Sequence, residues 1–216
     1  MEKILMLVVF VVLAVDHVQS ACCVPKQMEF FEGVSSGQSI NGTNTATMAF
    51  FKVSYDSDRR MVYANGTAHV NGVMMTEEAL QDFTNNTQYT VINGKCYKTP
   101  IPFNVFMTCL PSDAKMVLST YYGFGEKTMD MQVYTFTLNG MDISLTATQV
   151  QNDCIPLGEH VGSKTGITDI GIMGLTKGIK NPEVFNIPKP CQDQTTLMAD
   201  SIGMQHAIRR HSVLFS

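Results

Sequence analysis

Tryptophan is absent from these 216 residues, and charged side chains make up only 16% of them. Basic residues form no larger cluster than Lys177 with Lys180 and the Arg59-Arg60 and Arg209-Arg210 pairs, which argues against a nucleic-acid footprint. There is no Gly-x-Ser-x-Gly elbow, no His-Glu-x-x-His and no phosphate-cradling glycine loop. No Cys-x-x-Cys or His-x-x-x-His spacing offers a zinc site. His69, His160, His206 and His211 are scattered and read as surface histidines. These absences argue against an enzyme, a bound cofactor and a nucleic-acid partner.

What is present begins with an export signal. Glu2 and Lys3 precede a 12-residue apolar run, Ile4 to Val15, and small residues follow at Val18, Ser20 and Ala21. A bilayer-spanning helix needs roughly 20 apolar residues, and Asp16 and His17 stop this run short. The pattern is that of a secretory signal, residues 1–20, cut after Ser20. No later segment is long and apolar enough to span, so a soluble secreted domain is expected over residues 21–216. That remainder carries 14 basic and 17 acidic residues, a net charge of about −3.

All six cysteines (Cys22, Cys23, Cys96, Cys109, Cys154 and Cys191) follow the cleavage point. An even number in an oxidising compartment predicts disulfides, with the pairing left open. Three sequons, at Asn41, Asn65 and Asn85, lie in Asn/Gly/Thr-rich stretches. A glycan must stay in water, so each is expected in a turn or loop.

Alternation with period 2 dominates the chain. Ala49, Phe51, Val53 and Tyr55 share one face, with Lys52 and Ser54 on the other. Asp56-Ser57-Asp58 reads as a turn, and Arg60 to Ala64 resumes as a strand. Asn93-Gly94 predicts a two-residue hairpin turn because both residues tolerate positive φ. The clearest hairpin surrounds Asn139-Gly140. It places Leu138 opposite Met141, Phe136 opposite Ile143 and Tyr134 opposite Leu145, with Thr137–Asp142 and Thr135–Ser144 between them. A one-residue slip would mix the apolar and polar faces, so the register is specified.

Helix signals are few. Thr76 before Glu77-Glu78-Ala79-Leu80 predicts a short helical turn with Leu80 and Phe83 on one side. Asn181 caps Pro182-Glu183-Val184-Phe185, and Pro188 and Pro190 limit its length. From Thr196 a loose helix or an unstructured tail is expected. Tyr122-Gly123-Phe124-Gly125 and Gly171-Ile172-Met173-Gly174 read as turns or close backbone approaches.

Calcium is the one metal to consider. Asp56-Ser57-Asp58 lacks the glycine and terminal glutamate of an EF-hand and reads as a solvated turn. Asp130, Asp142, Asp153 and Asp169 are further oxygen donors for a site assembled in space. No metal ligand set is readable. Fifteen methionines suit an adaptable apolar cavity as well as ordinary core filling.

The cysteine neighbourhoods carry a family resemblance. Cys22-Cys23-Val24-Pro25-Lys26-Gln27 resembles the Cys-x-Pro-x-Gln opening of ependymin-related proteins. Ser54-Tyr55-Asp56, Asp153-Cys154-Ile155-Pro156 and Gly178-Ile179-Lys180-Asn181-Pro182-Glu183-Val184-Phe185, then Cys191-Gln192, are similar to further family motifs in the same order. Met28 departs from the pattern, standing where the family usually has tryptophan.

The resemblance implies a mainly β fold of two stacked antiparallel sheets, a half-open sandwich with a hydrophobic pocket and few short helices. It implies a secreted, non-enzymatic glycoprotein that binds lipid or another apolar ligand, forms a homodimer and associates with calcium. By matching neighbourhoods it pairs Cys96 with Cys191, one of Cys22 and Cys23 with Cys154, and the other with Cys109. Phe51, Val53, Tyr134, Phe136, Ile143 and Leu145 are the candidates for the apolar lining, with plain core as their alternative role. The competing function is an extracellular-matrix, adhesion or signalling component acting through its surface and glycans.

Overall fold

The computed structural model describes residues 22–101, 106–151 and 153–192. Eleven antiparallel strands follow in order: β1 (Gln27–Ile40), β2 (Thr43–Asp56), β3 (Met61–Val70), β4 (Val73–Asp82), β5 (Thr87–Ile92), β6 (Lys95–Pro100), β7 (Lys115–Phe124), β8 (Lys127–Leu138), β9 (Met141–Val150), β10 (Asp153–Ser163) and β11 (Gly166–Lys177). A 3₁₀ turn at Pro182–Phe185 and the single turn of α1 (Lys189–Gln192) close the described chain. The antiparallel, mainly β architecture is as expected, but the strands form one sheet in the order β6-β5-β4-β3-β2-β1-β11-β10-β9-β8-β7. The pairing of β1 with β11, in which Met28 to Gln38 exchange ladder bonds with Gly166 to Lys177, makes the sheet continuous.

Hairpin turns set the register. Asn41-Gly42, Asn71-Gly72, Asn93-Gly94 and Asn139-Gly140 all have positive φ at both positions, the geometry whose twist matches flanking strands. Two of the four asparagines also receive a backbone N–H from the neighbouring strand. Ala46 N donates to Asn71 Oδ1 at 2.8 Å, and Thr76 N donates to Asn93 Oδ1 at 3.0 Å. The Asn139-Gly140 hairpin has the anticipated register at every pair from Thr135–Ser144 to Leu138–Met141.

Thr76 to Leu80 is not helical. It lies inside β4, which is hydrogen-bonded to β3 on one side and β5 on the other. Glu77, Ala79 and Gln81 turn to the inner face, so pairing on both edges overrides the local capping signal. Asn65 is a second correction. It sits within β3 rather than in a turn, although it is exposed there, while Asn41 and Asn85 occupy exposed turns. The segment from Thr196 lies outside the described residues.

One face of the sheet carries the core. Met28, Phe30 and Val34 of β1 lie beside Tyr55, Val53 and Ala49 of β2. The same cluster includes Ile170 and Ile172 of β11, Ile143 and Leu145 of β9, and Tyr134 and Phe136 of β8. Phe106 stacks on Tyr55 with ring centroids 5.2 Å apart and tilts against Phe83 at 5.0 Å.

Candidate functional site

The N-terminal segment staples two parts of the chain. Cys22 is bonded to Cys154 at the start of β10, and Cys23 to Cys109 in the connection before β7. Backbone bonds reinforce the junction: Val24 N to Thr108 O at 2.8 Å, Leu110 N to Cys22 O at 2.9 Å and Cys154 N to Cys23 O at 2.8 Å. The third disulfide, Cys96–Cys191, ties α1 to the β6 edge. Adjacent Cys22 and Cys23 thus take different partners, a choice that spacing does not make.

This staple forms one wall of a cavity of about 590 Å³. Leu110, Pro111 and Ala114 lie on that wall with Cys22, and Met116, Ser119, Gln132, Tyr134 and Gln149 present the sheet face of β7, β8 and β9. The volume is in the range of small-molecule sites. Gln132 Oε1 is buried with no hydrogen-bond partner among the described residues. A desolvated amide oxygen at a cavity is costly unless a ligand or water supplies a donor. The lining therefore combines apolar surface with several polar side chains, of which Gln132 is the buried and unanswered one.

Of the six expected lining residues, only Tyr134 borders this cavity. Leu145 borders a slit of about 20 Å³ between the N-terminal segment and residues 107–110, too small for a ligand. Phe51, Val53, Phe136 and Ile143 are buried members of the core cluster. Sequence alternation identifies the face correctly but cannot say where along it packing stops. Gln132, Met116 and Leu110 went unnoticed. The usable signal is Gln132 itself, a polar residue two positions before Tyr134 and four before Phe136 on an otherwise apolar face.

The inner face also holds carboxyls. Glu32 of β1 is only 1% exposed, and Glu77 of β4 and Glu159 of β10 are buried as well. Burial first, then the charges of Glu159 and Glu77, pushes the Glu32 carboxyl up from 4.5 to about 8. Glu32 Oε1 lacks a hydrogen-bond partner among the described residues. Two phenols elsewhere in the sheet are also raised. Burial raises Tyr55, and burial with the Glu78 carboxylate takes Tyr63 to about 12.

The acidic residues considered for calcium do not converge. Asp56 accepts from Arg59 N at 3.0 Å and from Gln27 Nε2 at 2.9 Å. Asp153 pairs with Lys177, and Asp142 accepts from Thr137 Oγ1 at 3.4 Å. Asp169 meets His160 at 2.7 Å, so His160 is a surface residue but not a solitary one. Among the described residues no group of three or more His, Cys, Asp or Glu side chains is placed to hold a metal ion.

The described chain is thus one antiparallel sheet pinned by three disulfides, with a cavity of mixed lining behind its N-terminal staple. The ependymin family profile matches residues 71–191, more than half of the sequence, and the chain belongs to that family. Ependymin-related protein 1 from Haliotis asinina is 25% identical over 188 residues, covering 80% of this chain and 90% of its own. An uncharacterized conserved protein from Thermus thermophilus superposes with a TM-score of 0.48 at 9% identity, covering 76% of this chain and 87% of that one. No described helix is long and apolar enough to cross a membrane.

Proposed function

We propose that this chain is a secreted, non-enzymatic glycoprotein that carries a lipid or similar apolar small molecule in the cavity beside Tyr134. The supporting observation is the cavity of about 590 Å³ whose wall is set by the Cys22–Cys154 and Cys23–Cys109 bonds. Met116, Leu110 and Ala114 supply apolar contact, and Gln132 supplies one polar anchor. An amphiphile with a single hydrogen-bonding group and an apolar body matches that lining. Secretion agrees with three disulfides and with the signal-like residues 1–20. Native mass spectrometry of detergent-free protein, paired with displacement of a fluorescent fatty-acid probe, tests the proposal. Co-purified lipid and competitive displacement are expected. A bare protein mass together with no probe uptake would overturn it.

A homodimer belongs to the same proposal, and β7 is the surface that favours it. This edge strand exposes Val117, Leu118, Tyr121, Tyr122 and Phe124 on both faces, Phe124 at 94%. The opposite edge, β6, is short, ends in Pro100 and is tethered through Cys96. Natural edges are blunted in such ways; β7 has neither proline nor tether, and its one irregularity is a bulge between Met116 and Leu118. Antiparallel pairing of two β7 strands about Ser119 and Thr120 sets Leu118 opposite Tyr121 and Val117 opposite Tyr122, without like charges facing each other.

A further inference from the structure

The outer face of the sheet, opposite the cavity beside Tyr134, carries an open groove of about 490 Å³. Four of its polar side chains come from a single cross-strand row, and Thr146 of β9 stands in the next. Ser35 of β1 pairs with Asp169 of β11, Asp169 with His160 of β10, and His160 with Ser144 of β9. His160 Nδ1 and Asp169 Oδ1 are 2.7 Å apart, which fixes the two side chains relative to each other. The second imidazole nitrogen, the second carboxylate oxygen and the hydroxyls of Ser35, Ser144 and Thr146 have no other protein partner among the described residues. Five hydrogen-bonding groups on neighbouring strands thus face one groove unengaged.

The next row along the strands is glycine from β1 through β10 and ends on Thr146 of β9. Gly33 pairs with Gly171, and Gly171 with Gly158. Gly158 is required by packing, since a Cβ there would lie 2.8 Å from Ile170 O. The other two are different. Neither Gly33 nor Gly171 has positive φ; a Cβ at Gly171 would meet nothing within 4 Å, and one at Gly33 would touch only Met173 Cε at 3.9 Å. Glycine weakens a strand, and neither turn geometry nor crowding calls for it at these two positions. On the far side of the glycine floor stand Met173 and Phe31, both half exposed, with Phe31 stacked on Phe50 at 5.8 Å.

We propose that this groove binds a neutral saccharide. A pyranose ring has an apolar face and a girdle of hydroxyls. Laid over Gly33 and Gly171, it turns the apolar face toward Met173 and Phe31 and its hydroxyls toward Asp169, His160 and Ser144. A carboxylate accepts from vicinal hydroxyls, while imidazole and serine act as donor or acceptor, so the wall suits a polyol better than an anion. The arrangement is a binding site and not a Ser-His-Asp hydrolase. No hydrogen bond joins Ser144 to His160, and the N–H groups of these paired strands are committed to the ladder, leaving no oxyanion donors.

The test is binding of secreted full-chain protein, its own N-glycans removed, to an array of neutral oligosaccharides. Surface plasmon resonance then compares free oligosaccharide with vesicles bearing the same sugar on a neutral glycolipid. Binding in either arm is expected; the free arm identifies a soluble or protein-borne glycan, and the vesicle arm alone identifies a glycolipid headgroup. Gly171→Leu, which fills open space, and Asp169→Asn should each weaken binding at least tenfold while leaving the thermal midpoint unchanged. No neutral saccharide bound in either arm overturns the proposal. So does undiminished affinity in a folded Gly171→Leu protein.

Discussion

The carboxyls of Glu32 on β1 and Glu159 on β10 share the inner face of the sheet with one strand, β11, between them, and the charge of Glu159 disfavours ionisation of Glu32. Glu77 acts on Glu32 in the same sense from β4. The folded chain therefore holds a proton on Glu32 up to about pH 8, whereas the unfolded chain releases it near 4.5. Stability from this group is complete below about pH 4.5 and falls as pH rises toward 8. At pH 7 the accumulated loss is on the order of 3 kcal/mol, from about 1.4 kcal/mol per pH unit. Glu32→Gln should remove that slope. Urea midpoints should be higher than wild type at pH 7.5 and should converge with it near pH 4.5. Parallel curves across this range would show that Glu32 does not titrate in the window.

Core and cavity roles separate by mutation. Phe51→Ala should cost about 3–5 kcal/mol, as expected for emptying a buried aromatic site, and leave probe affinity in the folded fraction unchanged. Tyr134→Ala should also destabilise, but it should shift probe affinity as well, because Tyr134 borders the cavity. Equal affinities for both variants would deny Tyr134 a lining role.

Gln132→Leu addresses the buried polar anchor. Removing a buried amide oxygen that lacks a partner should raise stability by about 1–2 kcal/mol. Uptake of hydroxyl- or carboxyl-bearing probes should weaken relative to a plain hydrocarbon probe. Displacement titrations with a matched alcohol and alkane read the change, and an unaltered ratio would rule out the anchor.

The staple has its own signature. Cys22 and Cys154 are separated by 132 residues in sequence, and closing so long a loop is worth about 4–5 kcal/mol in the chain-entropy account. The Cys22→Ser, Cys154→Ser double variant should lose stability of that order. Probe binding should weaken too, because Cys22 carries the backbone bond to Leu110 at the cavity wall. Chemical denaturation and probe titration measure the two effects separately.

Edge pairing predicts a concentration-dependent mass. Leu118→Lys with Tyr121→Lys should convert the proposed dimer to monomer without changing the thermal midpoint by more than a few degrees. Both side chains are exposed in the single chain and support no core. Light scattering after size exclusion reads the mass; a persistent dimer would move the interface elsewhere.

Hairpins were legible because their determinants are local. Asn139-Gly140 supplies positive φ, and the flanking alternation penalises any slip, so Phe136–Ile143 could be paired on paper. The same alternation placed Phe51, Val53, Tyr134 and Leu145 on the buried face. It could not distinguish a side chain packed in core from one beside a cavity, since both present the same period. Thr76 to Leu80 misled for the complementary reason. A capping pattern costs little to satisfy locally, and two ladder partners outweigh it.

By itself the sequence determined the strand-rich class, the oxidised cysteines, the main hairpin register and the family resemblance, all of which rest on contacts between near neighbours or on side-chain chemistry alone. Tertiary structure decided the rest. It joined β1 to β11 in one sheet, assigned Cys22 to Cys154 and Cys23 to Cys109, and set Glu32 near Glu159. It also brought His160 to Asp169 over a floor of glycines. Apart from the His160–Asp169 pair within one hairpin, each of these depends on residues far apart in the chain meeting across strands, and the free energy of such a meeting lies in packing and desolvation that no short stretch of sequence contains.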